Sequence, residues 1–475
     1  MPGWTFHITT FGCKVNQYES QAIREAWLDL GGEESASPEE AHVALVNSCA
    51  VTAHGERDAR HALYRLHREA PAARRILTGC SACLVGRTLA GNPCLDVLVP
   101  PRAKALLLRG PWALLSGEKS LPEDAVAPPF GAEGFRIARF RRARPVVKVQ
   151  DGCSHRCTYC IVPLVRGSAV SRAADEVLAE VSGLLEAGYG EIMLSGINLH
   201  QYGRGLPPEA REKDFWDLLR RLDAALAPRW AGRARLRLSS LEPTQLNTRG
   251  LETLGQCRML CPHAHLSLQH GSPDILRRMG RGHCRPEKLL DAVRQLRQIW
   301  PRMGLGADLL MGFPGENDGH VQDTLQMVAA LGLTYAHVFP YSCRPGTPAA
   351  TFPQQTPHAE KLARAARVRQ AVETQKQAFL ESLLPLPRIA IVADSPANAT
   401  PGTSPSESRR GVSEHYAPCR LIAAEAPDTA GGASPAAIPS VAAIPSLEGL
   451  IPARPLRVEQ GVLVATPLSG APLPA

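Results

Sequence analysis

Three cysteines, Cys153, Cys157 and Cys160, lie close together in the run DGCSHRCTYCIVPLVRG. Their C-x3-C-x2-C spacing allows three thiolates to hold three irons of a [4Fe–4S] cube and leaves the fourth iron without a protein ligand. An iron with an open position can bind and activate a small molecule, whereas a fully ligated cluster only carries electrons. The alternative is a structural zinc site with His155 as the fourth ligand. Zinc sites usually pair C-x2-C with a distant second pair, which this chain lacks at a standard spacing.

A second set of cysteines follows three strand-like runs near the N-terminus. The runs WTFHITTFGC, HVALVNSC and RRILTGC end in Cys13, Cys49 and Cys80. Helices are predicted between them at 17–30 and 53–70, and this β-α-β-α-β order predicts a Rossmann-like parallel sheet. The carboxyl ends of parallel strands share one edge, where ligands bind. We therefore predict a second three-cysteine cluster there. The alternative is three unrelated cysteines buried in the core.

The middle of the chain reads as a regular series of βα units. A predicted helix at 171–187 is typical of the segments between the strands, with Ser171 as its N-cap and Gly188 after its end. Six units are two short of a closed eight-stranded barrel, so an open partial barrel is expected. The cysteine loop follows the first strand, at the catalytic face of such barrels. The predicted strands are 145–149, 191–196, 234–239, 264–269, 304–311 and 335–341.

The C-terminal part has a different composition. A long charged helix is predicted at 358–384, and beyond it the chain becomes rich in Pro, Ala and Ser. Three strand-like pieces remain, RIAIVAD, HYAPCRLIAA and PLRVEQGVLVATPL, which predict a small β-barrel interrupted by low-complexity insertions. The resulting α/β chain divides into an N-terminal domain (1–115), a basic linker (116–144), a central domain (145–384) and a divergent C-terminal domain (385–475).

Charge and composition restrict the partners. The formal charge is +8, and the densest basic run is RIARFRRARP within the linker. A polyanion such as RNA would explain this run, and so would a solvated linker. No signal peptide or bilayer-spanning run is evident, so a cytoplasmic protein that does not enter a membrane is expected. In that compartment the thirteen cysteines stay reduced, which favours metal ligation by some of them.

Taken with both cysteine sets, the order of motifs resembles the radical S-adenosylmethionine (SAM) methylthiotransferase family over about residues 5–385. The branch acting on threonylcarbamoyladenosine in tRNA is the most similar, chiefly through FGCKVNQYES around Cys13. NSCAVT and TGCSA surround Cys49 and Cys80. The later motifs are VQDGCSHRCTYCIVPLVRG, LSGINLHQYG, LRLSSLEP, LSLQHGS, DLLMGFPGE and HVFPYSCRPGTPA. EHYAPCRL resembles part of the family's small RNA-binding (TRAM) barrel. Cys83, which forms a CSAC pair with Cys80, and His270 depart from the family pattern.

The resemblance implies 2-methylthiolation of the adenine of N6-threonylcarbamoyladenosine at position 37, in the anticodon stem-loop of tRNA. It implies two [4Fe–4S] clusters, one on Cys153, Cys157 and Cys160 that cleaves SAM to a 5′-deoxyadenosyl radical, and one on Cys13, Cys49 and Cys80 that holds the transferred sulfur. An electron donor such as flavodoxin or ferredoxin and a monomeric enzyme are also expected. The alternatives are methylthiolation of isopentenyladenosine or of a ribosomal-protein aspartate. A non-catalytic, metal-stabilised RNA-binding protein is the alternative from another class.

Residues at the strand ends of the barrel are candidates for contacting SAM, because glycine permits close backbone approach and polar side chains can bind the ligand. Ordinary strand-to-helix turns are the alternative for each of them. Arg166 is a further candidate, for cofactor or RNA. The SAM candidates are Gly196, Asn198, Ser239, Ser240, Gln269, Gly312, Gly315 and Glu316.

Overall fold

The computed structural model describes residues 3–89, 91–116, 121, 125–131, 134–394, 408–422 and 449–468. The predicted N-terminal sheet is confirmed: five parallel strands lie in the order β2-β1-β3-β4-β5. Helix α1 begins three residues earlier than predicted, directly after Cys13. The elements are β1 (Trp4–Thr10), α1 (Lys14–Asp29), β2 (Gly32–Glu34), β3 (Val43–Ser48), α2 (Ala53–Glu69), β4 (Arg74–Gly79), α3 (Ala82–Leu89), β5 (Val97–Leu98) and α4 (Trp112–Leu115).

The central domain is the predicted open barrel of six parallel strands. Two four-stranded sheets, β7-β6-β8-β9 and β10-β11-β12-β13, continue into each other because β9 and β10 are separated by one residue. The first half contains β6 (Val146–Asp151), α5 (Val162–Arg166), β7 (Val170–Ser171), α6 (Ala174–Glu186), β8 (Glu191–Gly196), α7 (Phe215–Trp230) and β9 (Arg235–Leu238). The second half contains β10 (Ser240–Leu241), α8 (Thr248–Gln256), β11 (His263–Gln269), α9 (Pro273–Arg278), α10 (Pro286–Ile299), β12 (Gly304–Met311), α11 (Asp318–Leu331), β13 (Tyr335–Pro340) and α12 (His358–Ser382).

The predicted helix cap at Ser171 is wrong. Ser171 lies in β7, an added edge strand that pairs antiparallel with the end of β6, and its hydroxyl accepts a hydrogen bond from the Gly203 N–H at 3.0 Å. Helix α6 begins at Ala174, after an Ala173 N-cap without a side-chain hydrogen bond. The side chain that the sequence pattern assigned to a helix cap therefore makes a tertiary hydrogen bond instead.

The C-terminal strands form a closed five-stranded barrel in the order β14-β15-β16-β18-β17, as the three strand-like pieces predicted. HYAPCRLIAA supplies only one strand, and the strand before it was not predicted. The third piece is a hairpin that turns at Gln460 and Gly461, both with positive φ. The low-complexity insertions at 395–407 and 423–448 lie outside the described residues. The strands are β14 (Ile389–Ala393), β15 (Ser408–Ser413), β16 (Pro418–Ile422), β17 (Ile451–Glu459) and β18 (Val462–Pro467).

The described part of the linker packs between the N-terminal and central domains. The Tyr18 hydroxyl of α1 donates to the Phe135 carbonyl at 2.8 Å, and Ile137 N–H donates to the Glu180 carboxylate of α6 at 3.2 Å. Phe135 and Ile137 are buried. Helix α1 thereby lies against the barrel through β6. Within the described residues, no helix combines the length and apolar character needed to cross a membrane.

Candidate active site

The loop of Cys153, Cys157 and Cys160 starts at the carboxyl end of β6. Gly152 has φ +66°, and a Cβ there would lie 2.1 Å from the Ser168 carbonyl oxygen, so the turn requires glycine. The Cys153 N–H donates to the Gly167 carbonyl at 3.0 Å, and the Thr158 N–H donates to the Met279 carbonyl at 3.0 Å. The backbone therefore fixes the loop from two sides before any ligand is considered.

The three thiols of this loop line a cavity of about 330 Å³ inside the open barrel. Asn198 and Gln269, two of the predicted SAM candidates, line the same cavity. The Asn198 amide nitrogen is 3.7 Å from the Cys153 sulfur. Gln269 has φ +70°, a strained backbone for a residue with a side chain, at the end of β11. Val51 and Thr52 of the N-terminal domain also line this cavity.

The other six SAM candidates do not line this cavity. Ser240 lies next to it, with its hydroxyl 3.4 Å from the carboxylate of Asp308, a lining residue. Glu316 is buried in a separate polar group, where it accepts from Gly312 N–H at 2.7 Å and pairs with His270 at 3.2 Å. The remaining candidates lie at strand ends and turns without lining the cavity: Gly196, Ser239 and Gly315.

Cys13, Cys49 and Cys80 come together at one edge of the N-terminal sheet, as their strand positions predicted. A Cβ on Gly12 would lie 2.7 Å from the Cβ of Cys49, so the β1 and β3 loops are in contact. Burial, and then the proximity of Cys80 and Cys13, raise the pKa of Cys49 to about 11. Cys80 packs with Ile161, the residue after Cys160. The two cysteine sets are therefore neighbours across the domain interface.

A buried ionic network joins the two sets. The Arg166 guanidinium lies 3.2 Å from the Cys80 sulfur through Nε and donates from Nη1 to Glu19 at 2.9 Å and to Asp151 at 2.8 Å. Lys104 and Lys148 also pair with Glu19. Although burial raises it, the three cations hold the pKa of Glu19 well below its usual range. Three cations thus face two carboxylates beside Cys80, and this excess positive charge favours an anionic ligand.

Both cysteine sets suit a cluster better than a single ion. Tetrahedral zinc–thiolate bonds of about 2.3 Å bring sulfurs to within about 4 Å of each other. Among the described residues, two groups have three ligand atoms within 4.8 Å of one another, and neither group contains a member of these sets. Burial raises the pKa of Cys160 to about 12, so this thiol becomes a ligand only when a cation displaces its proton. Three thiols in each set that are too far apart for one zinc ion fit the three-cysteine ligand set of a [4Fe–4S] cluster.

The sequence analysis missed a second buried ion pair. Arg281 donates to Glu242 at 2.5 Å, and its Nη1 lies 3.8 Å from the Cys157 sulfur. Both residues line the cavity. Glu242 was contained in the quoted motif LRLSSLEP, but no spacing rule connects it with an arginine 39 residues later. Each cysteine set thus has one buried arginine against one of its sulfurs.

This fold and this site define a class, and comparison with known proteins agrees. The model of the Radical SAM superfamily matches residues 147–328, and the model of an uncharacterized family, UPF0004, matches residues 5–99. The chain therefore has the domain of radical SAM enzymes, a class that uses SAM and an iron–sulfur cluster.

Two relatives narrow the class. The chain is 36% identical to the threonylcarbamoyladenosine tRNA methylthiotransferase MtaB of Chlamydia pneumoniae, over 74% of this chain and 78% of that protein. It is 34% identical to the tRNA-2-methylthio-N(6)-dimethylallyladenosine synthase of Thermus thermophilus, over 78% of this chain and 77% of that protein. The chain belongs to the methylthiotransferase family of radical SAM enzymes, in the MtaB-like branch.

A solved structure supports the fold independently. The radical S-adenosylmethionine methyltransferase TsrM of Kitasatospora setae, solved with tryptophan and a SAM analogue, superposes with a TM-score of 0.56. The match covers 73% of this chain and 75% of that one at 15% identity, so it supports the fold and nothing about function.

Proposed function

We propose that this enzyme transfers a methylthio group to C2 of N6-threonylcarbamoyladenosine at position 37 of tRNA, next to the anticodon. The observation that carries the proposal is the meeting of two three-cysteine sets at one domain interface, in a chain 36% identical to a relative named for this reaction. A single-cluster radical enzyme would not need the second set. The proposed domain boundaries are those that the sequence predicted, after residues 115, 144 and 384.

Each set has a proposed role. Cys153, Cys157 and Cys160 hold the cluster that binds SAM, and Cys13, Cys49 and Cys80 hold a second cluster. When bound, these groups supply one-electron chemistry and the sulfur to be transferred. Asn198 and Gln269 orient SAM from the cavity wall, and Arg166 and Arg281 hold the thiolates in place. The enzyme acts as a monomer and receives electrons from a flavodoxin- or ferredoxin-like donor.

Iron and sulfide analysis after anaerobic reconstitution tests the two clusters. The wild type should hold about eight irons, and the triple variants Cys153→Ala/Cys157→Ala/Cys160→Ala and Cys13→Ala/Cys49→Ala/Cys80→Ala about four each, as two four-iron cubes require. Both variants should lose methylthiolation of tRNA, measured by nucleoside mass spectrometry. Four irons in the wild type, falling to none in the first variant, would contradict the proposal.

The second candidate is methylthiolation of isopentenyladenosine. It is favoured by the 34% identity to a synthase named for that substrate class, over 78% of this chain against 74% for the first relative. Nucleoside analysis of tRNA from a strain lacking the gene decides between the two. Accumulation of unmethylthiolated threonylcarbamoyladenosine favours the first function, and accumulation of isopentenyladenosine favours the second.

A further inference from the structure

A second cavity, of about 480 Å³, lies where α1, the linker and the C-terminal barrel meet the barrel strands. Its charged lining residues are Lys14, Arg142 and Arg144 against one carboxylate, Asp394. Tyr416, from the turn between β15 and β16, covers one side. The cavity therefore carries a net positive charge and suits an anionic group.

Strand β13 connects this basic cavity with the cavity of Cys153. Tyr335, His337 and Phe339 share one face of the strand, because side chains alternate along it. The Tyr335 ring lies 4.8 Å from the Tyr416 ring of the basic cavity, and the His337 ring lies 6.4 Å from the Phe339 ring. Phe339 is 40% exposed and lines the Cys153 cavity. A ligand about 13 Å long could lie along these residues, at about 3.3 Å per residue.

Of the three cations that line the basic cavity, Lys14 is the one that combines partial burial with a side chain that is unengaged among the described residues. It is half-buried and has no hydrogen-bond or ion-pair partner of its side chain among the described residues. Arg144 already lies 3.9 Å from Glu191 and over the Tyr416 ring, and Arg142 is exposed at the rim. Lys14 shares the basic cavity with Tyr416, whose ring contacts Tyr335, so Lys14 lies at the end of the connecting wall that also carries His337.

The chemistry of the target base connects these observations. In an N6-substituted adenine, C2 is an atom of the six-membered ring, and N6 is attached to that same ring. Lys14 directly follows Cys13 in the chain, so it lies next to the set that is proposed to deliver sulfur to C2. A threonylcarbamoyl substituent ends in a carboxylate, and an isopentenyl substituent has no charge.

Building on the function proposed above, we propose that Lys14 binds the carboxylate of the N6-threonylcarbamoyl group while the adenine lies against His337 and Phe339. An ammonium–carboxylate hydrogen bond is among the strong ones. An isopentenyl group in the same place would leave the ammonium desolvated and unpaired, which is costly. Lys14 is thus the specificity-determining residue for the substituent.

The test measures the affinity of reconstituted enzyme for three anticodon stem-loop RNAs, which carry threonylcarbamoyladenosine, its carboxamide analogue or isopentenyladenosine. Lys14→Met should weaken binding of the carboxylate RNA about 10- to 100-fold, as loss of a charged hydrogen bond does, and leave the carboxamide RNA unchanged. Lys14→Arg should keep the preference. Lys288→Met, on the exposed face of α10, removes the same charge and should change neither affinity.

Two outcomes would overturn the inference. An equal loss on all three RNAs would mean that Lys14 binds the phosphate backbone, and no loss on any RNA would mean that it binds neither group. Failure of the proposed function looks different. In that case the wild type would methylthiolate the isopentenyl RNA and not the threonylcarbamoyl RNA.

Discussion

At the scale of single residues, Arg166 connects the two halves of the site. It is buried, and its guanidinium contacts Cys80 of one set while it pairs with Asp151, two residues before Cys153 of the other. Since the acids it neutralises are buried too, the network depends on each member. Although its own burial opposes this, the electrostatic interactions with Asp151, Cys80 and Glu19 hold the pKa of Arg166 well above its usual range.

Replacing this arginine should therefore be costly. Arg166→Met leaves Asp151 and Glu19 with less positive charge, and we expect a loss of about 3–5 kcal/mol in the free energy of unfolding, as when one partner of a buried pair is removed. Urea titration of the iron-free chain measures it. Arg229→Met is the control, because the Arg229–Glu186 pair is exposed and is worth at most about 1 kcal/mol. Equal effects of the two variants would refute the structural role.

At the scale of elements, the ends of β1 and β3 determine how close Cys13 and Cys49 lie. Gly12 has φ +93°, and an added Cβ would lie 2.9 Å from the Cys49 sulfur. The glycine therefore allows the two loops to approach, and helix α1 can begin immediately after Cys13. This contact is absent from any local sequence pattern.

Gly12→Ala should selectively affect the cluster that we propose on Cys13, Cys49 and Cys80. We expect about four irons in place of about eight after reconstitution, because the added methyl group displaces Cys49 while the Cys153 loop is untouched. Iron analysis with electron paramagnetic resonance measures it. Gly31→Ala is the matched control: Gly31 also has positive φ, +80°, but nothing lies within 4 Å of the added Cβ. If both variants keep eight irons, the contact does not matter.

At the scale of the whole molecule, the C-terminal barrel is docked by buried charge on the central sheet. Arg235 and Arg237 of β9 both pair with Glu191 and donate to backbone carbonyls of the C-terminal barrel, among them Ala390 and Ser413. Although burial raises it, these arginines hold the pKa of Glu191 well below its usual range. His415 lies at the same interface, where burial and then Arg235 lower its pKa to about 4.

This docking should make stability depend on pH. The pKa of a histidine in an unfolded chain is about 6.5, so below that pH the unfolded chain binds a proton that folded His415 does not bind. The contribution of neutral His415 to the free energy of unfolding is fully present above about pH 6.5 and is lost as the pH falls towards 4. The loss amounts to at most about 3 kcal/mol. Between pH 4.5 and 6.5, the melting temperature of His415→Gln should depend less on pH than that of the wild type. The exposed His61→Gln should follow the wild-type curve, and a parallel His415→Gln curve would contradict the prediction.

The whole-molecule arrangement also limits what the sequence could predict. Six strands and the small C-terminal barrel were predicted because alternation and turn residues are local signals, and the motif order gave the family. Ser171 was misread because a tertiary hydrogen bond to Gly203 uses the side chain that a cap would use. Strand β15 was missed because its sequence, SRRGVS, is mostly polar, and it is a strand because β14 and β16 flank it.

The sequence by itself determined where the two sets of thiols lie, since the spacing of Cys153, Cys157 and Cys160 and the position of Cys13, Cys49 and Cys80 after strands follow from chain order and parallel topology. Only the tertiary structure decided which charges accompany them. Arg281 with Glu242, and Arg166 with Glu19, are far apart in sequence and meet because folding brings different strand ends and helices together. Burying a charge requires a partner, and that partner is chosen by proximity in space.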